Sequence, residues 1–351
     1  MVTTQVRTAT DEAFARDANQ YAEQVTRLEA MRNGEVVTVD EQRFAGFDID
    51  DPGIQFNEVR LLASHNSYKK TLLDNIYQLS VPIFGADRFK EFLYEHSTPV
   101  NQLGNGVRGL EFDFRSQTDG FKIFHGPIVD NGSNSPDLAM TLEELSLWSR
   151  ANPGHLPVTI LMEPKDDPSF MNPNFQKMNR ERFKELDNTI RDILGEDRLI
   201  TPADLMGDCA SPAELVETNA WPTLQSLRGK FLFMLHPHRT YTDLYINMDK
   251  TLRKQVLVPA VWHYELDKFY PYTAFVIYND PEIEPIRALV DRHYMVRTRM
   301  DNLLFYDEPR KERALASGAQ ILSTDLEKDV IRPQIDYVAY LEQEYTALLS
   351  E

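Results

Sequence analysis

The sequence predicts an α/β fold, a distorted TIM (β/α)8 barrel that forms a single domain with an N-terminal helical extension. Short apolar runs alternate with longer amphipathic stretches between residues 58 and 326, which is typical of parallel strands joined by helical crossovers. Eight such runs occur, and a barrel typically needs about 250 residues. No Gly-rich phosphate turn follows the first run, which disfavours the alternative of a doubly wound open sheet.

The eight strand-like runs define the predicted barrel. The second and third are separated only by SQTDG, which is too short for a helix and indicates either a distorted barrel or a local hairpin. The runs cover residues 58–66, 106–115, 121–126, 156–164, 229–238, 273–280, 293–301 and 319–326.

Helical periodicity supplies the connecting elements. Thr141 is the predicted N-cap of a helix over 141–151, and Gly195 the predicted stop of a helix over 181–195. Two more helices are predicted over 284–293 and 310–318.

The two ends of the chain are predicted to be helical. Residues 1–57 form the N-terminal extension, residues 58–326 the catalytic barrel, and residues 327–351 a C-terminal helix that packs on the barrel. The N-terminal helix is predicted over 8–33 because apolar residues recur there at three- and four-residue spacing. These residues are Phe14, Ala18, Tyr21, Val25 and Leu28.

Composition excludes some classes of function. The 351 residues carry 37 Lys and Arg against 55 Asp and Glu, a net charge of −18, which disfavours a nucleic-acid partner and a strongly anionic membrane. Cys209 is the single cysteine, so an internal disulfide and a cysteine-rich zinc site are excluded. No apolar stretch approaches the ~20 residues of a membrane span, and the first residues show no apolar signal core.

Ionisable and polar residues lie at the ends of several predicted strands. Strand C-terminal ends converge on one face of a barrel, where active sites are built. Residues two apart on a strand point to the same side. The candidates are His65 and Asn66, Glu111 and Asp113, His125, Glu163 and Lys165, and Arg297 and Arg299.

The carboxylates suggest a metal site. Glu111, Asp113 and Glu163, with the amide oxygen of Asn66, form an all-oxygen set that suits Ca²⁺ or Mg²⁺ better than zinc. Buried carboxylates that lie side by side repel and need a cation or a shared proton. The alternative is a solvated carboxylate cluster on a wet strand face.

The histidines and cations suit a phosphodiester. His65 and His125, on opposite sides of a metal-bound phosphate, suit an acid and a charge stabiliser. The positive charges of Lys165, Arg297 and Arg299 suit substrate binding, although a structural ion pair is an equally good explanation for each.

These motifs resemble the phosphoinositide-specific phospholipases C, especially the bacterial calcium-dependent branch. The resemblance rests on ASHNSY, GVRGLEFDFR, IFHGP and VTILMEPK, with MVRTRMD and QILSTDL in support, and it covers roughly residues 58–326. It implies a distorted TIM barrel and a Ca²⁺ cofactor.

The resemblance also implies a role for each candidate residue. Asn66, Glu111, Asp113 and Glu163 would be calcium ligands, and Glu111 would help to take the proton from the inositol 2-hydroxyl. His65 would stabilise the transition-state phosphate, and His125 would protonate the leaving group. The implied reaction cleaves phosphatidylinositol by attack of that hydroxyl, which gives diacylglycerol and a cyclic inositol phosphate.

Several alternatives stay open at this point. A glycerophosphodiester phosphodiesterase that acts on a soluble phosphodiester shares the Glu-x-Asp pair, but usually shows His-Arg-Gly after the first strand, where this chain has His65-Asn66-Ser67. A non-catalytic barrel that serves as a binding module is disfavoured because both histidines and all four ligands are present. A monomer with peripheral membrane contact is expected. Family members are commonly secreted, so an exported mature form is expected, with a cytoplasmic protein as the alternative.

Overall fold

A computed structural model describes residues 2–85, 92–167, 172–302, 306–331 and 337–350. Eight parallel strands pair in the order β1-β10-β9-β8-β7-β6-β4-β2. The ring closes where β1 pairs with β2, so the predicted barrel is confirmed. The barrel strands are β1 (Val59–Ser64), β2 (Gly109–Gln117), β4 (Val158–Pro164), β6 (Phe231–Leu235), β7 (Val258–Trp262), β8 (Phe275–Ile277), β9 (Met295–Arg299) and β10 (Ile321–Thr324).

The seam that closes the barrel requires a glycine. Ala63 of β1 pairs with Gly109 of β2, and a Cβ on Gly109 would clash with the Cβ of Ala63. A larger residue at this position would separate the two strands. The barrel therefore closes between β1 and β2 because Gly109 has no side chain.

Two strands differ from the prediction. The run at 121–126 forms β3 (Gly120–Ile123), which pairs antiparallel with the extended end of β2 and lies outside the parallel barrel. The short SQTDG junction is thus a hairpin. The eighth barrel strand is β7, which the prediction missed because Pro259 interrupts it and proline usually argues against a central strand. A short strand, β5 (Phe175–Gln176), adds to the β2 extension.

Helices surround the barrel, and the four predicted between the strands are present. Asp137, not Thr141, caps the helix that begins at Leu138, because its side chain accepts the backbone N–H of Met140. Gly195 ends its helix with a φ of 81°, as expected for this residue. The helices are α1 (Val2–Arg32), α2 (Glu41–Phe44), α3 (Asp74–Phe84), α4 (Pro99–Gly104), α5 (Leu138–Ala151), α6 (Arg180–Leu194), α7 (Pro202–Met206), α8 (Pro212–Glu217), α9 (Leu224–Leu227), α10 (Tyr241–Ile246), α11 (Leu266–Phe269), α12 (Ile283–Val290) and α13 (Glu308–Ala316).

The predicted C-terminal helix over 327–351 is wrong for the residues that the structure describes there. The chain instead ends in β11 (Ala347–Leu349), which pairs antiparallel with β1. The apolar spacing in this segment reflects contacts of an extended chain, in which Leu341 and Ala347 are buried against the barrel. Pairing of this strand supplies backbone hydrogen bonds along the start of β1.

The N-terminal helix is confirmed, but the side that it buries is not the predicted apolar one. Gln20 and Gln24 are buried, whereas Phe14 and Tyr21 are 57% and 46% exposed. Leu28 alone of the five predicted apolar positions is fully buried. None of the described helices has the length and apolar character needed to cross a membrane.

Candidate active site

The first barrel strand delivers two adjacent polar residues to the C-terminal end of the barrel. Strand β1 ends at Ser64, and Asn66 adopts a left-handed conformation with a φ of 50°. The chain therefore leaves the extended conformation at His65, so the strict alternation of strand side chains no longer applies. Hydrogen bonds between Ser67 and the backbone of Glu111 tie this turn to β2.

The three predicted carboxylates meet on strands β2 and β4. Asp113 pairs in register with Glu163, and Glu111 lies two residues before Asp113 on the same strand. Glu111 and Asp113 are buried, and the Glu163 side chain is partly buried. The Asn66 side chain is also buried, and its Oδ1 lies 3.4 Å from the Tyr68 hydroxyl.

Two cations compensate this negative charge. Arg297 donates to Glu111 Oε2 at 2.7 Å. Lys165 pairs with Glu163 and lies 3.3 Å from Asp113 Oδ2. Neither carboxylate oxygen of Asp113 has a hydrogen-bond partner, although both are buried. A buried carboxylate without hydrogen bonds is costly, so Asp113 is the acceptor that this site leaves unsatisfied.

The carboxylates differ in proton affinity. Burial and the neighbouring Glu163 raise the pKa of Asp113 to about 7. Burial would also raise the pKa of Glu163, but His236 and Lys165 outweigh it and lower that pKa to about 2. Burial would likewise raise the pKa of Glu111, but the Arg297 guanidinium outweighs this effect and lowers that pKa. Two carboxylates are thus ionised at neutral pH beside a third that resists ionisation.

His65 is held by a carboxylate. Its Nδ1 lies 2.7 Å from Asp325 Oδ1, and the other oxygen of Asp325 accepts from Arg299 at 2.6 Å. Burial opposes ionisation of Asp325, but His65 and Arg299 keep its pKa below the usual range. The carboxylate fixes the imidazole orientation and its tautomer, so that Nε2 is the nitrogen available for chemistry.

His125 also lies against a carboxylate. It follows the hairpin strand β3, which pairs with the same edge of β2 as β1 does, and its Nδ1 lies 2.8 Å from Asp130 Oδ2. The other oxygen of Asp130 binds Lys69, whose side chain is buried. Arg115 donates to the backbone carbonyl of His125 at 2.8 Å and thereby fixes the start of this loop.

Sequence reasoning missed two histidines at this face. His236 follows β6, and one ligand atom from each of His236, Glu111 and Glu163 fits within 4.8 Å. His96 lies beside the His65 backbone, donates from Nε2 to the His65 carbonyl at 2.8 Å, and pairs with Glu327 through Nδ1. His236 could have been proposed from the sequence, because it lies near the end of the predicted strand at 229–238. His96 lies between helices, and no sequence pattern marks it.

The three predicted substrate-binding cations are all present at this face, but each already pairs with a carboxylate. Arg297 is the most deeply buried and also donates to Ser323 at 3.0 Å. Lys165 and Arg299 retain partial exposure. Lys165 and Arg299 are therefore better placed than Arg297 to meet a ligand, whereas Arg297 is positioned to hold Glu111.

The residues present fit a hard divalent cation. Three carboxylates and one amide offer oxygen ligands of the kind that Ca²⁺ prefers, and the buried oxygens of Asp113 accept no hydrogen bond although Lys165 lies 3.3 Å away. His236 adds a nitrogen beside the oxygen donors, and a nitrogen is a less suitable ligand for Ca²⁺.

The comparisons with known proteins identify the family of the chain. Residues 115–349 match the family model of Ca²⁺-dependent phosphoinositide phospholipase C. The chain belongs to this family, and the resemblance seen in the sequence is confirmed. No curated protein sequence matches the chain significantly.

Solved structures show the same fold. A calcium-dependent phosphoinositol-specific phospholipase C from Pseudomonas sp., in a myoinositol complex, is 18% identical with a TM-score of 0.58, covering 86% of this chain and 97% of that one. A Ca²⁺-dependent phosphatidylinositol-specific phospholipase C from Streptomyces antibioticus is 21% identical with a TM-score of 0.55, covering 78% and 95%. The protein is accordingly an enzyme of the phosphodiesterase class.

Proposed function

We propose that this protein is a calcium-dependent phospholipase C that cleaves phosphatidylinositol by attack of the inositol 2-hydroxyl on the phosphorus. The observation that carries the proposal is the pair of histidines that each lie against a carboxylate, His65 against Asp325 and His125 against Asp130, close to Glu111 and Asp113. Cleavage of a phosphodiester needs charge stabilisation at phosphorus and a proton for the leaving oxygen. Two histidines placed in this way suit these two tasks.

Each step has a residue that can perform it. Glu111 accepts the proton of the 2-hydroxyl as its oxygen forms a bond to phosphorus. The bond from phosphorus to the diacylglycerol oxygen then breaks, and protonated His125 gives its Nε2 proton to that oxygen. His65 donates a hydrogen bond to the phosphate, and Lys165 and Arg299 add positive charge around it. The products are diacylglycerol and a cyclic inositol phosphate.

Asn66, Glu111, Asp113 and Glu163 are the residues that would hold Ca²⁺. When bound, the ion supplies positive charge that lowers the pKa of the attacking hydroxyl and neutralises the phosphate oxygens. Asp325 and Asp130 keep the two histidines oriented, and Arg297 keeps the Glu111 carboxylate in place. Because the nucleophile belongs to the substrate, its orientation in the site supplies much of the rate.

The remaining expectations accompany this function. We propose a phospholipid substrate met by peripheral contact with its surface, a monomer, and an exported mature protein. A single described chain carries both histidines and all four ligands, which supports activity as a monomer. Analytical ultracentrifugation and fractionation of the producing cells would test the last two proposals.

Product analysis tests the function most directly. Purified protein is incubated with phosphatidylinositol and Ca²⁺, and the products are followed by ³¹P NMR. A cyclic inositol phosphate supports the proposal, whereas glycerol phosphate released when glycerophosphoinositol replaces the lipid would indicate a glycerophosphodiester phosphodiesterase. Binding without turnover would indicate a binding module.

A leaving-group comparison tests the role of His125 separately. His125→Ala should lose about 10²- to 10⁴-fold in kcat on the natural lipid. A nitrophenyl ester of inositol phosphate needs no proton on leaving, so its loss should be much smaller. Equal losses on the two substrates would assign the proton to another group.

A further inference from the structure

An apolar groove lies between the N-terminal helix and the hairpin that carries His125. Its volume is about 480 Å³, within the about 300–1,000 Å³ of small-molecule sites. Helix α1 forms one wall, and the hairpin, the loop after it and β5 form the other. The apolar lining consists of Phe14, Tyr21, Phe124, Pro127, Ile128 and Phe175.

The orientation of α1 indicates that this groove is a feature of the fold. In the middle of the helix Gln20 and Gln24 face the protein and bind the backbone of the loop at 131–137, while Ala13 and Leu28 are buried on either side of them in the chain. Its two large aromatic residues, Phe14 and Tyr21, are left exposed on the groove side. A surface helix usually does the opposite, and a contiguous exposed apolar patch marks a binding surface.

The charged residues of the groove already have partners. Asp17 on the helix wall accepts from Asn131 at 2.7 Å, and Lys122 on the hairpin wall pairs with Asp137 at 2.9 Å and with Asp119 at 3.3 Å. The groove therefore offers aromatic and aliphatic surface to a ligand and no unpaired cation for an anionic group, which suits an uncharged hydrocarbon chain.

The groove borders the segment that carries His125. Phe124 and Pro127, which line it, lie close to His125 in the chain, and Asn131 follows Asp130 directly. The Arg115 guanidinium lies 4.2 Å from the centre of the Phe124 ring while it donates to the His125 carbonyl. The groove is thus lined by chain neighbours of the residue to which protonation of the leaving group is assigned.

We propose that this groove binds one acyl chain of the diacylglycerol leaving group while His125 protonates its oxygen. The inference rests on the proposed function and adds a subsite to it. Chain binding would hold the leaving oxygen near His125, so longer chains would be cleaved more efficiently until the groove is full. Each methylene buried in full is expected to raise kcat/KM by about fourfold.

The test uses monomeric substrates, so that binding to a membrane surface does not contribute. Wild-type kcat/KM is measured on glycerophosphoinositol and on phosphatidylinositols with two chains of four, six or eight carbons, below their aggregation limits. The variants are Phe14→Ser/Tyr21→Ser, which removes exposed groove aromatics, and Ala18→Trp, which fills the groove. Val37→Ser/Leu349→Ser is the control, since these residues are exposed outside the groove.

The kcat/KM of wild type and of the control should rise at least tenfold when the chains lengthen from four to eight carbons. Both groove variants should lose most of that increase and keep the parental rate on glycerophosphoinositol. Binding of dihexanoylglycerol to His125→Ala by calorimetry should show the same pattern without turnover. A flat wild-type series, or groove variants that keep the wild-type slope and the calorimetric affinity, would overturn the proposal. If wild type cleaved no inositol phosphodiester, the proposed function would fail, and calorimetry alone would decide whether the groove takes a chain.

Discussion

At the residue scale, the site depends on side chains that hold other side chains. Asp130 binds His125 through one oxygen and the buried Lys69 through the other. Asp325 links His65 to Arg299 in the same manner. Each carboxylate holds an imidazole in place. The histidines therefore owe their position to residues that follow them in the chain or come from the end of the last barrel strand.

Asp130 can be tested apart from its structural partner. Asp130→Asn should lower kcat on the natural lipid at least tenfold, because the imidazolium form of His125 loses its counter-charge. It should also destabilise the fold by about 3–5 kcal/mol, because Lys69 is left buried and unpaired. Asp130→Asn/Lys69→Met removes both charges and should recover much of the stability but not kcat. Recovery of both in the double variant would show that Asp130 serves the fold only.

A second residue-scale prediction concerns a buried carboxyl away from the site. Asp187 on α6 accepts from the Tyr245 hydroxyl at 2.8 Å, and burial raises its pKa to about 7. The native state therefore retains a proton that the unfolded state releases near pH 4. Stability contributed by this group is lost as the pH rises from about 4 to about 7.

Asp187→Asn removes that loss. The variant should resemble the parent at pH 4 and gain about 1–4 kcal/mol over it at pH 8 in urea unfolding. Asp192→Asn, an exposed change on the same helix, should shift neither value. A gain of equal size at both pH values would mean that Asp187 is not protonated in the native state.

The sequence located the residues of the candidate site better than their partners. Glu111, Asp113 and Glu163 were predicted from alternation on a strand, and Asn66 from its position after a strand end. Asp130, Asp325 and His96 contact the histidines only because loops fold back on the barrel mouth. No local spacing encodes such contacts, so periodicity could not find them.

At the element scale, the strands and helices were predicted where local pattern and tertiary environment agree. The Pro259 strand was missed because a barrel can hold a proline that propensity disfavours. The final segment was predicted as a helix from spaced aromatic residues, but pairing of β11 with β1 prevails. Helix α1 was predicted at the correct position, but the face predicted to be buried was wrong. Apolar spacing had suggested that face, whereas the backbone N–H groups of the loop against which α1 packs need polar acceptors.

The buried glutamines of α1 support the loop that carries Asp130 and Asn131. Gln20 accepts the backbone N–H of Ser133 and donates to the carbonyl of Asn131, both at 2.9 Å. Gln20→Ala leaves these buried groups unpaired and should cost about 1–3 kcal/mol of unfolding free energy. It should also lower kcat, since Asn131 follows Asp130 directly.

The matched control is Asn19→Ala, which changes the exposed neighbouring position on the same helix. Urea unfolding and kcat are measured for both variants. If Gln20→Ala stays within about 0.5 kcal/mol of the parent, water replaces the glutamine and α1 does not support the loop.

At the scale of the whole molecule, charge is distributed unevenly between surface and site. The chain carries a net charge of −18, and three of its carboxylates are concentrated at one end of the barrel, two of them buried. Lys165 is shared between Glu163 and Asp113, and Arg297 pairs with Glu111, so two cations face three carboxylates and the Asp113 oxygens accept no hydrogen bond. The folded state without a bound cation is therefore destabilised by its own active site, and a ligand that binds only the folded state will stabilise it.

Calcium should for this reason raise the melting temperature in the absence of substrate. At about 100 times its dissociation constant the ion contributes about 2.7 kcal/mol, which corresponds to a shift of several degrees for a domain of this size. NaCl at the same ionic strength controls for screening of the −18 surface charge. Asp113→Asn removes a repelling carboxylate and a ligand together, so it should melt above the parent without calcium and respond little when calcium is added. A higher melting temperature without calcium together with a smaller response to calcium would indicate a specific site. General screening would instead raise the melting temperatures of both proteins equally in either salt. Equal shifts in NaCl and CaCl₂ for the parent and the variant would show that these carboxylates do not bind the ion.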